Sequence, residues 1–235
     1  MAHHWYLKSC DLFQRLPEDE LAQLEACSRY RTFAARSVIY LPADHADAVV
    51  TLVSGRVKLC HATADGKESI LALIEPGEVF GELCLLSGDD REELAIAMEK
   101  SSAVLIPRQA MQKVVDRHAE LALGITRLVG FRRQRIERRL RYLLFHPNRD
   151  RLIHLLLELL EKYGRTAPGG TLIGIKLSHQ DLASIIGSTR ETVTATLGEL
   201  QEQGFIELGR QKIIVHSVSR LAAEVEERQG ANFRQ

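Results

Sequence analysis

The sequence lacks the features that mark several classes of protein. Only 4 of its 235 residues are cysteine, 6 are proline, aromatic residues make up 6 %, and the formal net charge is zero. No two cysteines have CxxC spacing, which argues against a zinc or iron–sulfur framework. The four cysteines are Cys10, Cys27, Cys60 and Cys84. We interpret them as reduced thiols that lie mostly in the core, and their redox role stays open.

Long apolar runs are also missing. The most apolar stretch, residues 152–160, is short and contains His154 and Glu158, so it is not a membrane span. The first residues, MAHHWYLKSCDLF, contain no apolar signal region. We therefore expect a cytoplasmic protein without a membrane partner. HExxH, Walker, G-x-S-x-G and Rossmann motifs are absent as well, so an enzyme is not expected.

What the chain does contain is an apolar fraction of 45 % with balanced charge, which excludes disorder for most of it. Residues 10–30 have the pattern of short helices. Residues 36–106 are short β-rich runs separated by turn signals. These signals are Ser54-Gly55, Asp65-Gly66, Pro76-Gly77 and Ser87-Gly88. Their regular spacing predicts an antiparallel barrel or sandwich.

A long helical stretch follows from about Gln109 to Leu144, with a predicted break near Arg117-His118, and it stops at Pro147. Its apolar residues recur at helical spacing. They are Leu121, Ile125, Leu128, Val129, Ile136, Leu140 and Leu143. A helix of roughly 40 Å is hard to cover with one small barrel. A symmetric partner helix in a homodimer is the simplest cover, and packing on the chain's own barrel is the alternative.

The segment 177–206, LSHQDLASIIGSTRETVTATLGELQEQGFI, has the pattern of two helices joined by a tight turn. Ser178 and Asp181 form a capping-box start, and Gly187 ends the first helix. We expect Ser188 to cap the second helix, with Glu191 completing a second box. Residues 164–174 are expected to be a loop, and residues 205–215 a hairpin turning at Gly209-Arg210. Together these features predict a winged helix-turn-helix.

Such a module places the start of its second helix in the major groove of DNA. Arg190 suits guanine O6 and N7, and Glu191 suits cytosine N4. Further polar residues on the same helices and on the wing suit phosphates or base edges. The full predicted DNA-binding set is Ser178, His179, Gln180, Thr189, Arg190, Glu191, Thr192, Thr194, Arg210 and Lys212. A generic helical hairpin that makes only protein contacts is the competing interpretation.

The chain resembles the catabolite activator / fumarate–nitrate reduction regulator (Crp/Fnr) family of bacterial transcription factors. The resemblance rests on VSGRVKL, GEVFGELCLLSG, the long helix and the segment 177–206, and it covers roughly residues 10–220. It implies an α+β fold. A β-roll effector domain like a cyclic nucleotide-binding domain spans 1–117, a dimerisation helix 118–145 and a winged helix-turn-helix 146–235. It also implies double-stranded DNA, a second copy and RNA polymerase as partners, and a pseudopalindromic DNA site.

The effector site departs from the cyclic-nucleotide members of that family. Gly81-Glu82-Leu83 matches the family pattern, but Glu92 and Glu93 fall where those members have Arg-Ser. A carboxylate there would repel a phosphate by about 1–4 kcal/mol at 4 Å. Cyclic AMP is therefore disfavoured. The expected pocket residues are Phe80, Gly81, Glu82, Leu83, Cys84, Arg91, Glu92, Arg132, Ile136 and Glu137.

Other effectors of the family remain alternatives, and the cofactor stays unknown. Arg132 and Glu137 match effector-contacting residues of the nitrogen-regulator branch, which implies 2-oxoglutarate as one candidate. Leu83 replaces a haem-ligating histidine, and the clustered N-terminal cysteines of iron–sulfur members are absent, so haem and a cluster are not expected. Two departures lie in the DNA-binding part. Ala195 replaces a second base-reading arginine, and Thr196 occupies an apolar position.

Overall fold

The computed structural model describes Leu7 and residues 10–63, 66–86 and 90–232, with backbone alone over 226–232. The chain forms two compact units, Met1–Ile136 and Glu137–Gln235, and the boundary falls within the long helix. No helix in these ranges is long and apolar enough to cross a membrane.

The first unit is a roll of two four-stranded antiparallel sheets, with strand orders β1-β8-β3-β6 and β2-β7-β4-β5. The strands are β1 (Arg29–Phe33), β2 (Val38–Tyr40), β3 (Ala48–Ser54), β4 (Val57–Ala62), β5 (Glu68–Ile74), β6 (Val79–Phe80), β7 (Leu94–Ala97) and β8 (Ser101–Pro107). Short 3₁₀ turns cover Asp11–Phe13 and Glu82–Leu85, and helix α1 covers Glu18–Cys27. The predicted antiparallel barrel is confirmed, and β1 is a strand that the sequence pattern did not indicate.

The turn signals mark the sheet connections. Gly55 and Gly77 have φ of +86° and +85°, which suits glycine at the turns after β3 and β5. Strands β4 and β5 pair from Val57↔Ile74 to Ala62↔Glu68, as the hairpin prediction requires. Asp65 and the turn signal at residues 87–88 lie outside the described residues.

Two hydrophobic clusters hold the first unit together, and β3 contributes to both because neighbouring residues of a strand face opposite ways. Val50 and Leu52 pack between the sheets with Leu59 and Phe80. Val49 faces outward into a second cluster that includes Met111. Because both faces of β3 are covered, this strand is buried along most of its length rather than alternating with solvent.

Helix α2 (Arg108–Arg117) is followed by the long helix α3 (Ala119–Phe145), and the break between them lies at His118 as predicted. The stripe predicted to face a partner is partly used within the unit. Leu121 and Ile125 are buried in its outer cluster, and Leu128 and Val129 pack against that cluster. Leu121 and Ile125 therefore cover the chain's own β-roll rather than a partner, while the partner interface of the other residues of the stripe stays a prediction.

The second unit contains helix α4 (Asn148–Tyr163), β9 (Gly164–Ala167), β10 (Gly170–Ile173), α5 (His179–Ile186), α6 (Arg190–Glu202), β11 (Ile206–Gly209), β12 (Lys212–Val215) and α7 (Val218–Asn232). Its sheet has the strand order β11-β12-β10-β9. The predicted loop over 164–174 is instead the β9–β10 hairpin, which turns at Pro168-Gly169. Gly169 has φ +85°, the conformation for which this turn uses glycine.

The cysteines do not form disulfides within the described part of the chain. Cys10, Cys60 and Cys84 are buried, and Cys27 is exposed. Burial raises the pKa of Cys10 and Cys60 to about 11 and raises that of Cys84 as well. These three thiols are therefore protonated and weakly reactive at neutral pH.

Candidate functional site

Helix α5 starts at the predicted capping box. The Ser178 hydroxyl accepts from the Asp181 backbone N–H at 3.1 Å, and the Asp181 carboxylate accepts from the Ser178 backbone N–H at 2.9 Å. The helix ends at Gly187, whose φ of +65° is left-handed. A Cβ at Gly187 would lie 2.9 Å from the Leu143 side chain. The capping box therefore fixes the start of α5, and the left-handed Gly187 fixes its end, where the turn begins.

Helix α6 begins one residue later than expected. Its N-cap is Thr189, whose hydroxyl accepts from the Thr192 backbone N–H at 3.2 Å, so the prediction of a Ser188 cap is wrong. The backbone N–H of Ser188 instead bonds to the Ala183 carbonyl at 3.0 Å, as part of the turn. The Glu191 carboxylate accepts from its own backbone N–H and from the Thr189 hydroxyl, which lowers the pKa of Glu191.

The two helices pack through a small buried core and one polar link. Ala183 is fully buried, as expected for a small residue at a helix crossing. Thr196 is buried with its hydroxyl donating to the Thr192 carbonyl at 2.9 Å, so this polar residue is accommodated in an apolar position. His179 Nδ1 lies 2.8 Å from the Thr194 hydroxyl and ties the start of α5 to the middle of α6.

The outer surface of this pair carries most of the predicted DNA-binding residues. Ser178, Gln180, Thr189, Arg190, Glu191 and Thr194 are exposed. His179 and Thr192 are half-buried, so Thr192 is less accessible than predicted. The described residues provide no ion pair or hydrogen bond to the Arg190 side chain. Its guanidinium is thus available at the start of α6.

The wing is the β11–β12 hairpin, in which Gly209 pairs with Lys212. The loop is Arg210-Gln211, one residue beyond the predicted Gly209-Arg210 turn, and Gln211 has φ +55°. Arg210 and Lys212 are both exposed. The hairpin therefore presents two cations at its tip, as the sequence predicted.

In the first unit, the predicted effector pocket holds a buried ion pair. Arg132 donates to the Glu82 carboxylate at 2.7 Å and also to the Val79 carbonyl. The side chains of Glu82 and Arg132 are 5 % and 17 % exposed. A pair this buried is weakly screened by solvent, so it ties the start of the 82–85 turn to α3.

A second cluster beside this pair fixes Arg91 and Glu93. Arg91 is buried, donates to the Gly81 carbonyl at 2.8 Å and to the Ala48 carbonyl, and lies 4.4 Å from the Tyr40 ring centroid. Gly81 has φ +67°, and a Cβ there would lie 2.5 Å from the Arg91 guanidinium. The Tyr40 hydroxyl donates to Glu93 at 2.7 Å. Burial raises the pKa of Glu93, with nearby Glu82 adding to the effect.

The remaining predicted pocket residues are distributed differently. Phe80 and Cys84 are buried, and Leu83 is 39 % exposed. Glu92 is exposed. Ile136 is 42 % exposed, and Glu137 is exposed and belongs to the second compact unit.

Comparison with known proteins decides the family. A model of the cyclic nucleotide-binding domain matches residues 30–118, and a model of the Crp-like helix-turn-helix domain matches residues 150–224. The Global nitrogen regulator of Synechocystis sp. is 35 % identical over 188 residues, covering 79 % of this chain and 84 % of that protein. The chain belongs to the Crp/Fnr family of transcription regulators.

Solved structures agree with the architecture. A Crp/Fnr transcriptional regulator from Thermus thermophilus superposes with a TM-score of 0.67 at 29 % identity, covering 84 % of this chain and 98 % of that one. The c-di-GMP responsive regulator CLP of Xanthomonas campestris gives a TM-score of 0.76 at 23 % identity, covering 86 % and 100 %. This Crp/Fnr chain is therefore a DNA-binding transcription regulator and not an enzyme, with an N-terminal domain of the cyclic nucleotide-binding type.

Sequence reasoning missed three groups in this Crp/Fnr regulator. Tyr40 lies on a strand far in sequence from the 81–84 segment, and the Val79 carbonyl is bonded by Arg132 from a distant helix, so spacing could not reveal either contact. The His179–Thr194 hydrogen bond joins two helices, and the only sequence signal for it was the predicted packing of these helices. Arg91 was expected in the pocket, yet both of its described donor groups bond to backbone carbonyls.

Proposed function

We propose that this Crp/Fnr regulator binds a pseudopalindromic DNA site as a homodimer, reading bases with Arg190 and Glu191. The observation that carries the proposal is the free, exposed Arg190 guanidinium at the first position of α6, beside an ionised Glu191. An arginine and a glutamate there suit a guanine and a cytosine in the major groove. The cations of the wing suit the phosphates alongside.

The homodimer is supported by the apolar residues that α3 leaves exposed. The exposed fractions are 42 % for Ile136, 52 % for Leu140 and 44 % for Leu143. Their spacing of four and three residues places them on one face of the helix. A symmetric copy of the same face would cover them. Two recognition helices related by that symmetry would then read half-sites roughly 34 Å apart.

RNA polymerase is the proposed protein partner, because a regulator of this family acts at promoters.

The effector site is proposed not to take cyclic AMP. Glu93 is buried near the segment that would hold a phosphate, and the Arg91 guanidinium beside it already bonds to two backbone carbonyls. Glu82, the acidic residue of Gly81-Glu82-Leu83, is bonded to Arg132. A ligand phosphate would therefore meet carboxylates and no free cation.

The same ion pair favours a regulator that needs no effector. Glu82 already provides the anion that Arg132 would otherwise receive from a ligand. A ligand such as 2-oxoglutarate would have to displace Glu82 and leave its carboxylate buried without a partner, which is costly. 2-Oxoglutarate stays the second candidate because Arg132 can bind a carboxylate and the chain resembles the Global nitrogen regulators.

Fluorescence anisotropy tests the proposal. A labelled duplex with a TGTGA-like palindrome is compared with a scrambled duplex at fixed salt, since phosphate contacts make affinity depend on salt. Arg190→Ala should weaken specific binding by about 5- to 150-fold, which corresponds to about 1–3 kcal/mol. Arg165→Ala is the control, since Arg165 is exposed on β9, at the sheet edge opposite β11.

The outcomes separate the alternatives. Selective binding without ligand, lost in Arg190→Ala and kept in Arg165→Ala, supports an effector-independent regulator. Selectivity that appears only with cyclic AMP or 2-oxoglutarate identifies that effector and contradicts the closed pocket. If selection from random duplexes yields no preferred sequence in any condition, a signalling module that makes only protein contacts replaces the proposal.

A further inference from the structure

A cavity of about 1040 Å³ opens on the first unit, apart from the Glu82–Arg132 pair. Its walls come from the start of β1, the segment that precedes β3, the end of β8 and the first turns of α2. Its lining includes the apolar residues Ile39, Val50 and Leu105. A concave site with an apolar lining and a few polar groups is the usual form of a small-molecule site.

The cavity concentrates positive charge in a chain whose net charge is zero. Of the described residues that line it, five are cationic and two carry carboxylates, Asp44 and Asp47. The cationic residues are Arg29, Arg31, Arg91, Arg108 and Lys113. One Asp44 oxygen already accepts a hydrogen bond from the Leu41 backbone N–H at 2.7 Å, so it stabilises the 41–44 turn. The excess charge is thus not balanced within the cavity.

Three of these cations are available to a ligand. Within the ranges that the structure describes, the side chains of Arg29, Arg31 and Lys113 have no ion pair or hydrogen bond. Arg91 differs, because its guanidinium already bonds to the carbonyls of Gly81 and Ala48. It contributes positive charge to the cavity, but these two donor groups are not free. The free donors therefore come from two elements, two from β1 and one from α2.

The strand geometry sets the spacing of the two arginines. Arg29 pairs with Leu105 and Arg31 with Ala103, so they sit two residues apart on one face of β1. Such positions are roughly 6.5–7 Å apart. The two arginine side chains therefore start from neighbouring positions on one face, where both can reach the same anion and neutralise its charge.

The start of α2 adds to this field. The helix has 10 residues, and Pro107 at its N-cap provides no side-chain hydrogen bond to its first amides. Pro107, Arg108 and Gln109 all line the cavity. The positive end of the helix dipole therefore lies beside the cations.

We infer that this cavity binds a small organic dianion, a dicarboxylate or a phosphate ester, held by Arg29 and Arg31 of β1 and by Lys113 of α2. The site shares Arg91 with the predicted effector pocket and Tyr40 with the cluster beside it, but Glu82 and Glu93 do not line it. The inference depends neither on the DNA sequence read nor on the effector, so it can fail while the proposed function stands.

Isothermal titration calorimetry on the full chain tests it, with succinate and inorganic phosphate as separate probes and chloride as the reference salt. We expect saturable binding of at least one probe, weakened about ten-fold or more in Arg29→Gln/Arg31→Gln. The matched control is Arg36→Gln/Lys100→Gln, which removes the same charge from exposed residues of the same unit outside the cavity. It should bind as the unsubstituted chain does, and the preferred probe identifies the ligand class.

Several results would overturn the inference. These are the absence of saturable heat with both probes, equal weakening in both double variants, or unchanged binding in Arg29→Gln/Arg31→Gln. Binding of polyglutamate but of neither small probe would also overturn it, in favour of a docking surface for an acidic protein. Circular dichroism checks that each variant is folded, and the single variant Arg29→Gln replaces the double variant if that one is not.

Discussion

Removing Arg132 tests whether the buried ion pair closes the effector pocket. Arg132→Gln leaves Glu82, whose side chain is 5 % exposed, as an unpaired buried carboxylate. Breaking a buried pair from one side costs about 3–5 kcal/mol. For a chain of this size each kcal/mol lowers the melting temperature by about 2–4 °C, so the transition of the first unit should fall by roughly 6–20 °C.

Differential scanning calorimetry measures this shift, with two comparisons built from the structure. The control is Arg15→Gln, which breaks an exposed pair with Glu120 at 3.2 Å and 81 % and 69 % exposure. Exposed pairs contribute only about 0–1 kcal/mol. The double variant Glu82→Gln/Arg132→Gln should recover part of the loss, because it leaves no unpaired charge. If Arg132→Gln lowers the melting temperature no more than Arg15→Gln does, the Glu82–Arg132 pair does not hold the pocket closed.

Three further predictions concern the second unit. Ser178→Ala removes the capping box and should cost about 0.5–2 kcal/mol, seen as a lower melting temperature of that unit, whereas Ser178→Asp should retain most of the stability. Gly187→Ala should cost about 1–2 kcal/mol in the same assay, because φ is +65° and the new Cβ would press on Leu143; an unchanged melting temperature would contradict the left-handed turn. His154 stacks on Tyr142 at 4.2 Å, and burial lowers its pKa below 6.5. The unfolded state therefore takes up the proton first, and stability should fall as the pH drops below 6.5. His154→Phe should remove that component of the pH dependence measured by urea unfolding, and an identical pH profile would show that His154 does not titrate in this way.

The elements that the sequence predicted well are those with strong local signals. Strands β2 to β8 are separated by segments that contain turn residues. The capping box at Ser178 and the left-handed Gly187 define the two ends of α5. The signals at these points are short-range, so tertiary packing had little to override.

The elements that were missed depend on long-range pairing. β1 is RYRTF, a largely exposed edge strand with no apolar alternation, and its pairing with β8 was not visible locally. β9 and β10 were hidden in a Gly- and Thr-rich stretch, and they become strands because β10 pairs with β12. The N-cap of α6 is Thr189, one residue after the predicted Ser188. Local propensity does not distinguish two such neighbouring cap residues.

The candidate site divides in the same way. The exposed face of α6 follows from helical periodicity, so Arg190 and Glu191 were found from the sequence. Arg91 bonds to the carbonyls of Gly81 and Ala48, and Glu93 accepts from the Tyr40 hydroxyl; no spacing rule identifies these partners. Leu121 and Ile125 were assigned to a partner because one periodic stripe cannot show where one contact surface ends and the next begins.

The position of Arg91 constrains how this pocket can change during evolution. Its guanidinium holds the carbonyls of Gly81 and Ala48, so a substitution that released it would leave two backbone acceptors without a donor. A descendant that acquired nucleotide recognition would need new cations at Glu92 and Glu93 rather than a re-aimed Arg91. Several mutations would have to accumulate before any gain appeared, and each intermediate would have to fold.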